Sequence, residues 1–122
     1  MTDTAAVNAE LTVDAPHREL LDQVLDKWSL QVLNKLCERP CRFNDLRRAI
    51  PAVTQKSLTA TLRKLERNGI IERNVLSTRP VAVEYRITQL GKTLRGPVDV
   101  LLAWAAAHML EIDSARDRFD AL

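Results

Sequence analysis

Glycine, histidine and cysteine are scarce in this sequence, which has three glycines, two histidines and two cysteines among 122 residues. Three glycines leave little material for the loops that cradle phosphates, and the sequence has no nucleophile elbow and no paired acid and base. Cys37 and Cys41 lack the paired spacing of a zinc site and are too few for a disulfide framework. His17 and His108 stand far apart, with no second ligand near either one. We therefore expect no metal, no cofactor and no enzyme activity.

Long apolar runs are missing too. The chain is 46% hydrophobic and 28% charged, and its apolar stretches are short and interrupted by charged residues. The sequence contains neither a signal peptide nor the run of ~20 apolar residues that a membrane span needs. This composition is typical of one soluble domain, which we expect to lie in the cytoplasm.

The net charge is only +2, but the charges are distributed unevenly along the chain. Residues 1–41 carry 4 basic and 7 acidic side chains, residues 42–95 carry 12 and 4, and residues 96–122 carry 2 and 5. A strongly basic middle thus lies between two acidic ends. Such a patch is the electrostatic footprint of a protein that binds phosphates, although basic residues also cluster by chance on solvated surfaces.

The basic middle contains the pattern of a helix-turn-helix in residues 42–68. The first segment is amphipathic, with an apolar side made of Phe43, Leu46, Ala49 and Ile50. Pro51 interrupts this segment, and Thr54 then provides a good N-cap for a second helix. Two short helices joined by a tight turn are the layout of a helix-turn-helix unit.

The second helix of this unit has two distinct faces. At ~100° per residue, Leu58, Leu62 and Leu65 fall on one narrow stripe, which predicts the buried side. The side chains that point away are basic or small: Lys56, Ala60, Arg63 and Arg67, with Thr59 and Lys64 on the flanks. A basic surface of small side chains suits a helix that enters a DNA major groove. An ordinary solvated helix rich in lysine and arginine is the alternative.

After Gly69, a natural helix end, the apolar period changes from helical to alternating. Ile70–Leu76 and Val81–Ile87 are rich in β-branched residues and are separated by a short polar tip, so we predict a β-hairpin. A hairpin directly after a recognition helix is the wing of a winged helix. Arg79 at its tip is placed to reach phosphates or a narrow minor groove. A hairpin that only closes the core is the alternative.

The N-terminal part of the chain divides into a tail and a helical region. Residues 1–17 show no apolar period and are predicted to form a flexible tail. From Arg18 to Leu36 the apolar residues follow helical spacing. This pattern has a break between Lys27 and Ser29, and Ser29 is the candidate cap of a second helix.

The C-terminal part begins with Thr88, a candidate N-cap. The helix that follows is expected to be interrupted at Gly96-Pro97 and to resume as a long apolar helix to about Ala115. The predicted fold is therefore mainly α with a small β-hairpin (α+β), a winged helix-turn-helix flanked by terminal dimerisation helices. The winged helix-turn-helix with its N-terminal helix spans residues 18–95, and the C-terminal dimerisation helix and tail span residues 96–122.

The terminal helices suggest an interface between subunits. The winged-helix unit has its own core, so an apolar helix at each end lacks enough protein to cover it. We hypothesise that the two helices build a homodimer interface, with small alanines permitting close helix approach. The residues expected there are Leu21, Val24, Leu25, Leu101, Leu102, Ala105, Met109 and Ile112. In the competing interpretation, the terminal helices cover each other within a monomer.

Over about residues 20–104, the sequence also resembles the HxlR-type bacterial transcription regulators. The combination of three segments carries this resemblance: the Lys27-Trp28 pair, RFNDL at Arg42–Leu46 and VEYRIT at Val83–Thr88. The resemblance implies a dimeric winged helix-turn-helix protein that binds a palindromic operator in double-stranded DNA as a repressor or an activator. Some members of the family respond to small reactive electrophiles, quinones or aldehydes.

The resemblance also identifies the DNA-reading residues. The outward side of the family's recognition helix corresponds here to Gln55, Lys56, Thr59, Ala60 and Arg63, in agreement with the helical phase, and the wing corresponds to residues 77–80. We expect Gln55, Thr59 and Arg63 to contact base edges. The residues expected mainly to hold phosphates are Lys56, Lys64, Arg67, Arg42, Asn44 and Arg79.

One departure from the family concerns thiol chemistry. Redox-sensing members carry a reactive cysteine upstream of the Lys-Trp pair, and residues 1–36 contain none here. Thiol sensing by that arrangement is therefore not expected. Cys37 and Cys41 would form an alternative sensor, or they are a partly buried core cysteine and an inert turn cysteine.

Two other classes of function fit the same fold. In the first, the basic face of a winged-helix interaction module meets an acidic protein, and DNA affinity is weak and indifferent to sequence. In the second, the protein is a small-ligand sensor with a pocket between the terminal helices, lined by Trp28, Trp104 and Met109. A ligand there would change the spacing of the recognition helices, so this function is compatible with DNA binding.

Overall fold

The computed structural model describes residues 14–122, which form five helices and one β-hairpin. In chain order the elements are α1 (Ala15–Val24), α2 (Lys27–Glu38), α3 (Phe43–Ala49), α4 (Gln55–Arg67), β1 (Ile71–Thr78), β2 (Val81–Ile87) and α5 (Gln89–Asp120). This order confirms the predicted winged helix-turn-helix, a mainly helical fold with a small hairpin after its second helix-turn-helix segment.

Helix α1 begins earlier than the sequence pattern indicated. It starts at Ala15, and Pro16 occupies its first turn, where proline is tolerated because its missing N–H would have no helical partner. Residues 15–17 therefore belong to a helix and not to the predicted tail. The rest of that predicted tail, residues 1–13, lies outside the described residues.

The break between the first two helices was predicted around Ser29 and instead falls at Asp26. The Oδ1 atom of Asp26 accepts hydrogen bonds from the backbone N–H groups of Trp28 and Ser29, both at 2.9 Å, so Asp26 is the N-cap of α2. Its negative charge also suits the positive end of the helix dipole. Ser29 lies fully buried, with its Oγ 2.8 Å from the carbonyl oxygen of Gln23.

Helices α3 and α4 form the predicted helix-turn-helix. The Thr54 Oγ1 accepts a hydrogen bond from the Ser57 backbone N–H at 3.0 Å, which confirms the cap of α4. The predicted leucine stripe of α4, Leu58, Leu62 and Leu65, is fully buried. It packs in a core formed by α1 to α4 and the base of the hairpin. The apolar members of that core include Val24, Val32, Leu36, Leu46, Ile50, Val53 and Ile71.

The wing is an antiparallel pair of strands with Ile71 opposite Ile87 at its base. The first strand continues to Thr78, two residues beyond its predicted end, so only Arg79 and Pro80 form the turn, joined by a cis peptide bond. A register shift near the tip marks a β-bulge, which increases the local twist. The predicted hairpin is therefore confirmed, with a narrower tip.

Cys41 connects the wing to the helical part. Its backbone N–H donates to the Tyr85 carbonyl at 2.9 Å, and the Tyr85 N–H donates back at 2.7 Å. This bridge adds a one-residue third strand beside β2. It fixes the base of the hairpin against the loop before α3.

Two glycines are required where α4, the wing and α5 meet. Gly69 has a φ of +75° after the last turn of α4, a conformation that favours glycine, and it confirms the predicted helix end. Gly91 lies so close to the backbone that an added Cβ would stand 2.2 Å from the Ile70 carbonyl oxygen. The Thr88 hydroxyl accepts from the Gly91 N–H, which confirms the cap of α5. The first turn of α5 is thereby packed onto the chain entering β1.

Helix α5 is one continuous helix of 32 residues, so the predicted interruption at Gly96-Pro97 is wrong. A proline disfavours helical geometry in the preceding residue partly through that residue's Cβ, and Gly96 has none. The predicted domain boundary between residues 95 and 96 consequently falls inside this helix. Despite its length, neither α5 nor any other helix within residues 14–122 is apolar enough to cross a membrane.

Candidate nucleic-acid interface

The outward side of α4 presents the residues that the sequence predicted. Leu58, Leu62 and Leu65 are buried in the core, so the opposite side of the helix faces solvent. Five predicted side chains then line one open depression on the outer surface: Gln55, Lys56, Thr59, Ala60 and Arg63. The structure therefore brings these five residues together on one exposed surface.

The side chains of this surface suit a DNA groove. Ala60 lies among the other four and leaves room for a base pair or a phosphate to approach the helix backbone. Gln55 and Thr59 offer hydrogen-bond donors and acceptors, and Arg63 offers a planar guanidinium group that pairs with guanine through two hydrogen bonds. We call Gln55, Lys56, Thr59, Ala60, Arg63 and Arg67 the α4 surface.

The cations of the predicted interface are available to an external anion. Within residues 14–122, no carboxylate oxygen lies within 4.0 Å of the charged groups of Arg42, Lys56, Arg63, Arg67 and Arg79. All five residues are exposed. Lysine and arginine side chains in this state bind phosphates at little cost, because no existing ion pair has to be broken.

Arg42 and Asn44 lie at the start of α3, where both are exposed. The Arg42 backbone N–H donates to Asp45 at 3.0 Å, and this hydrogen bond, together with the guanidinium of Arg48, holds the pKa of Asp45 below its usual value. The carboxylate of Asp45 therefore already binds groups at the start of and within α3. Arg42 and Asn44 remain directed to solvent, where they are free to contact phosphates.

Arg79 lies at the tip of the wing, apart from the α4 surface. Seven residue steps of about 3.3 Å separate the base of β1 at Ile71 from Thr78, so the tip stands about 23 Å from the base. The Arg79 backbone N–H donates to the Ser77 Oγ at 3.2 Å, and the Arg79 side chain is exposed. This reach allows the wing to contact DNA beyond the groove that α4 would occupy.

Lys64 differs from the other predicted phosphate ligands. Its Nζ lies 3.0 Å from the Oδ2 of Asp26, and the two side chains are 39% and 29% exposed. Burial works to raise the pKa of Asp26, but hydrogen bonds from the Ser29 backbone and from Lys64 outweigh it, and the pKa is lowered. The ammonium group of Lys64 is thus paired with Asp26 at the half-buried flank of α4 that faces the corner between α1 and α2.

The sequence analysis did not identify Gln23 and Asp26, the two residues to which α4 is attached through Asn68 and Lys64. Asn68 Nδ2 donates to the Gln23 Oε1 at 2.8 Å, across 45 residues of sequence. The Asp26 cap has a local signal, because aspartate before a helical apolar pattern is a common N-cap. The contacts with Lys64 and Asn68 have no local signal, since both partners are ordinary polar residues on separate helices.

The predicted interface set on the terminal helices divides into two parts. Val24 is only 3% exposed and belongs to the core of its own chain, so its assignment to a subunit interface is wrong. Leu25 packs partly against the same core. The other six, Leu21, Leu101, Leu102, Ala105, Met109 and Ile112, are exposed or half-buried. Leu101 and Leu102 are 55% and 57% exposed, so α1 does not cover them within one chain.

Within the described part of the chain, the structure has a groove between α2 and α5, and not a pocket lined by the predicted tryptophans. A groove of about 90 Å³ lies between α2 and the first half of α5, with walls that include Leu33, Leu94 and Val98. Trp28 instead packs against the core, and Trp104 stacks on His108 with ring centroids 4.8 Å apart. Neither tryptophan nor Met109 lines the groove, so that prediction is wrong in its residues.

Cys37 is partly buried, as predicted, whereas Cys41 is more buried than a turn cysteine was expected to be. Cys41, predicted to be a turn cysteine, is buried, and burial raises the pKa of its thiol. Cys37 is half-buried and lines the groove between α2 and α5. A thiol of raised pKa is a poor nucleophile at neutral pH, so Cys41 is the less reactive of the two positions that were considered as a sensor.

Comparison with known proteins agrees with this geometry. The model of a family described as HxlR-like helix-turn-helix matches residues 23–113. The Bacillus subtilis protein named uncharacterized HTH-type transcriptional regulator YtcD is 39% identical over 89 residues, which cover 73% of this chain and 71% of the relative. Its name describes a transcriptional regulator and not an enzyme.

Solved structures of similar proteins share the fold. The putative transcriptional regulator YtfH from Salmonella typhimurium superposes with a TM-score of 0.72 at 32% identity, over 84% of this chain and 91% of that protein. The reduced form of the transcriptional regulator YodB from B. subtilis gives a TM-score of 0.67 at 32% identity, over 75% of this chain and 90% of that protein. The fold of this chain is therefore one that known transcriptional regulators adopt.

Proposed function

Because this chain belongs to the HxlR-like helix-turn-helix family of transcriptional regulators, we propose that it binds an inverted-repeat operator as a homodimer. Each protomer inserts α4 into a major groove, and the two grooves lie ~34 Å apart, one turn of DNA. The observation that carries the proposal is the α4 surface, where cations without a carboxylate partner among residues 14–122 and small polar side chains lie opposite a fully buried leucine stripe. Its place of action is the cytoplasm, where its DNA partner lies.

We assign separate roles to the residues of the interface. Gln55, Thr59 and Arg63 read base edges, with Arg63 on a guanine. The residues that hold phosphates are Lys56, Arg67, Arg42, Asn44 and Arg79, the last of these from the wing. Lys64 is left out of this set, because its ammonium group already has a carboxylate partner.

The exposed apolar surface of α5 supports the homodimer. Gly91 is the only buried residue among the 32 residues of this helix, which is about 48 Å long. Beyond the core, Leu101, Leu102 and Met109 remain exposed on one side, with Ala105 and Ile112 between them. A monomer rarely exposes such a continuous apolar surface, and a second copy of the same helix is its natural complement.

The test is selection of the purified protein against a random duplex library, with sedimentation equilibrium at micromolar concentration. Enrichment of an inverted repeat with half-sites about one turn apart, together with a species of twice 13.8 kDa, is the expected result. A single 13.8 kDa species would overturn the homodimer. Binding that selects no common sequence and vanishes as salt rises would leave only a basic patch and favour the interaction module.

The groove between α2 and α5 supports a second, compatible function. Its apolar walls and its polar edge, formed by Asn34, Arg95 and Asp99, suit a small aromatic effector with one polar group. An occupant would alter the angle between α5 and the DNA-binding unit and would thereby change the spacing of the two α4 helices. Saturable binding of 1,4-naphthoquinone that is lost on Val98→Trp, which fills the groove, supports this function. Equal binding to both proteins contradicts it.

A further inference from the structure

Helix α4 is attached to the corner between α1 and α2 by two polar contacts. The Lys64 Nζ contacts the Asp26 Oδ2 at 3.0 Å, and the Asn68 Nδ2 contacts the Gln23 Oε1 at 2.8 Å. Lys64 and Asn68 are four residues apart, so they lie one above the other on the same side of α4. This side is neither the buried leucine stripe nor the α4 surface.

The carboxylate that receives Lys64 is itself fixed. Asp26 Oδ1 accepts from the N–H groups of Trp28 and Ser29, and the Ser29 Oγ lies 2.9 Å from Oδ2. Three contacts from the first turn of α2 thus hold Asp26 independently of α4. Lys64 therefore reaches a preformed acceptor, and the ion pair transmits the position of the corner to α4.

We propose that the Asp26–Lys64 and Gln23–Asn68 contacts are positioning contacts that set the rotation of α4 and couple it to α1, where Leu21 is exposed for the partner subunit. This inference rests on the proposed function. Leucine contacts alone are non-directional and permit a helix to roll, whereas hydrogen bonds fix its angle. At a radius of about 6 Å, a roll of about 10° moves a side chain by about 1 Å, which is enough to break a base contact.

The coupling has a consequence for DNA recognition. The dimer fixes where α1 of each protomer lies, and the two polar contacts carry that placement to each α4. The distance between the two recognition helices, and with it the preferred spacing of the half-sites, then depends on the ion pair. Lys64 influences binding through α4 and does not contact a phosphate.

The experiment measures binding to the selected operator and to versions with the spacer lengthened or shortened by one base pair, at two salt concentrations. The variants are Asp26→Asn, Lys64→Met and the double variant. Asparagine keeps an oxygen that can cap α2, and methionine keeps the aliphatic stem, so both variants remove the ion pair. Asp26→Asn also removes the negative charge at the N-terminus of α2, and Lys64→Met does not, so only an effect that both variants share is assigned to the ion pair. Lys56→Met, on the α4 surface, is the matched control for a phosphate contact, and Lys64→Arg is the conservative replacement.

We expect Asp26→Asn and Lys64→Met each to weaken the best operator by roughly three- to tenfold, with an unchanged salt slope. Discrimination among operators of different spacer length should fall equally in both variants. The double variant should bind no more weakly than either single variant, because all three lack the same ion pair. Lys64→Arg should keep the spacer preference of the wild type. Lys56→Met should instead lower the salt slope by about one while keeping the spacer preference.

Three results overturn the inference. A lower salt slope in Lys64→Met, with unchanged or tighter binding by Asp26→Asn, identifies Lys64 as a phosphate ligand. A reduced melting temperature in both variants without a change in spacer discrimination identifies a purely structural ion pair. Wild-type behaviour of all three variants removes the coupling. The proposed function fails separately, when the wild-type protein selects no operator or Lys56→Met leaves the salt slope unchanged.

Discussion

Helices α4 and α5 both expose most of their outer surface, but the chemistry of the two surfaces is opposite. The α4 surface carries unpaired cations and small polar groups that water solvates until DNA replaces it. The far part of α5 exposes leucines and a methionine, which water does not solvate favourably. The α4 surface is therefore complete within one chain. In the proposed homodimer, the apolar residues Leu101, Leu102 and Met109 of α5 form half of a site, and a second copy of the same surface supplies the other half.

The largest expected effect comes from placing a charge on the α5 surface. In the proposed homodimer, Leu101→Glu would place two carboxylates at the two-fold interface, where each would be desolvated and repelled by its symmetry mate. We expect monomers in sedimentation equilibrium and an operator affinity reduced by more than about 100-fold, because the two half-sites then bind independently.

Leu110→Glu is the control for that change. Leu110 is 86% exposed, and nine residues at ~100° each place it on the opposite side of α5 from Leu101. The control protein should remain dimeric and bind DNA normally. A dimeric Leu101→Glu protein would show that the apolar side of α5 is not the interface.

The next largest effect concerns the α4 surface. Arg63→Ala should relax the base preference at one operator position and cost about 1–3 kcal/mol at that position. Lys56→Ala should weaken all sequences about equally and reduce the salt slope by about one. Binding titrations on a set of single-base operator variants separate the two patterns. An unchanged base preference in Arg63→Ala would move base reading to Gln55 and Thr59.

The same contrast explains which structural features could be predicted from the sequence. The caps at Thr54 and Thr88 and the helix end at Gly69 depend on neighbours within three or four residues, so local patterns identify them. Three leucines with no competing apolar stripe identify which side of α4 is buried and which side faces solvent. These local signals were sufficient for the fold and for the α4 surface.

The errors arise where a distant or competing interaction decides the structure. The ion pair between Asp26 and Lys64 spans 38 residues, and its geometry depends on how three helices pack. On α1, Val24 lies between Leu20 and Leu21 around the helix axis, and these two leucines are both 43% exposed, so only tertiary packing decides which of these apolar residues enters the core. A proline usually marks the end of a helix, because it disfavours helical geometry in the preceding residue. That restriction is weaker at Pro97, because the preceding residue is Gly96, which has no Cβ.

A smaller effect tests the packing of the first turn of α5, where Gly91 is buried. Gly91→Ala would place a methyl group 2.2 Å from the Ile70 carbonyl oxygen, so the first turn of α5 must shift away from the strand. We expect the free energy of unfolding to fall by about 1–3 kcal/mol in urea denaturation. Gln89→Ala, an exposed position in the same turn, should change it by less than about 0.5 kcal/mol. Equal stability of the two variants would mean that this turn is not tightly packed.

The smallest expected effect distinguishes the polar attachment of α4 from the apolar contacts of α5 by its dependence on pH. The folded protein holds the pKa of Asp26 below its ordinary value of 3.8, so the carboxylate contributes stability above that pH and loses it as the pH falls through the folded pKa. The unfolding free energy of Asp26→Asn should therefore lie below that of the wild type by up to about 1 kcal/mol at pH 6, with the gap closing toward pH 3. Urea titrations of both proteins at pH 6, 4.5 and 3 measure the gap. A gap of the same size at all three values would show that the charge of Asp26 does not stabilise the corner between α1 and α2.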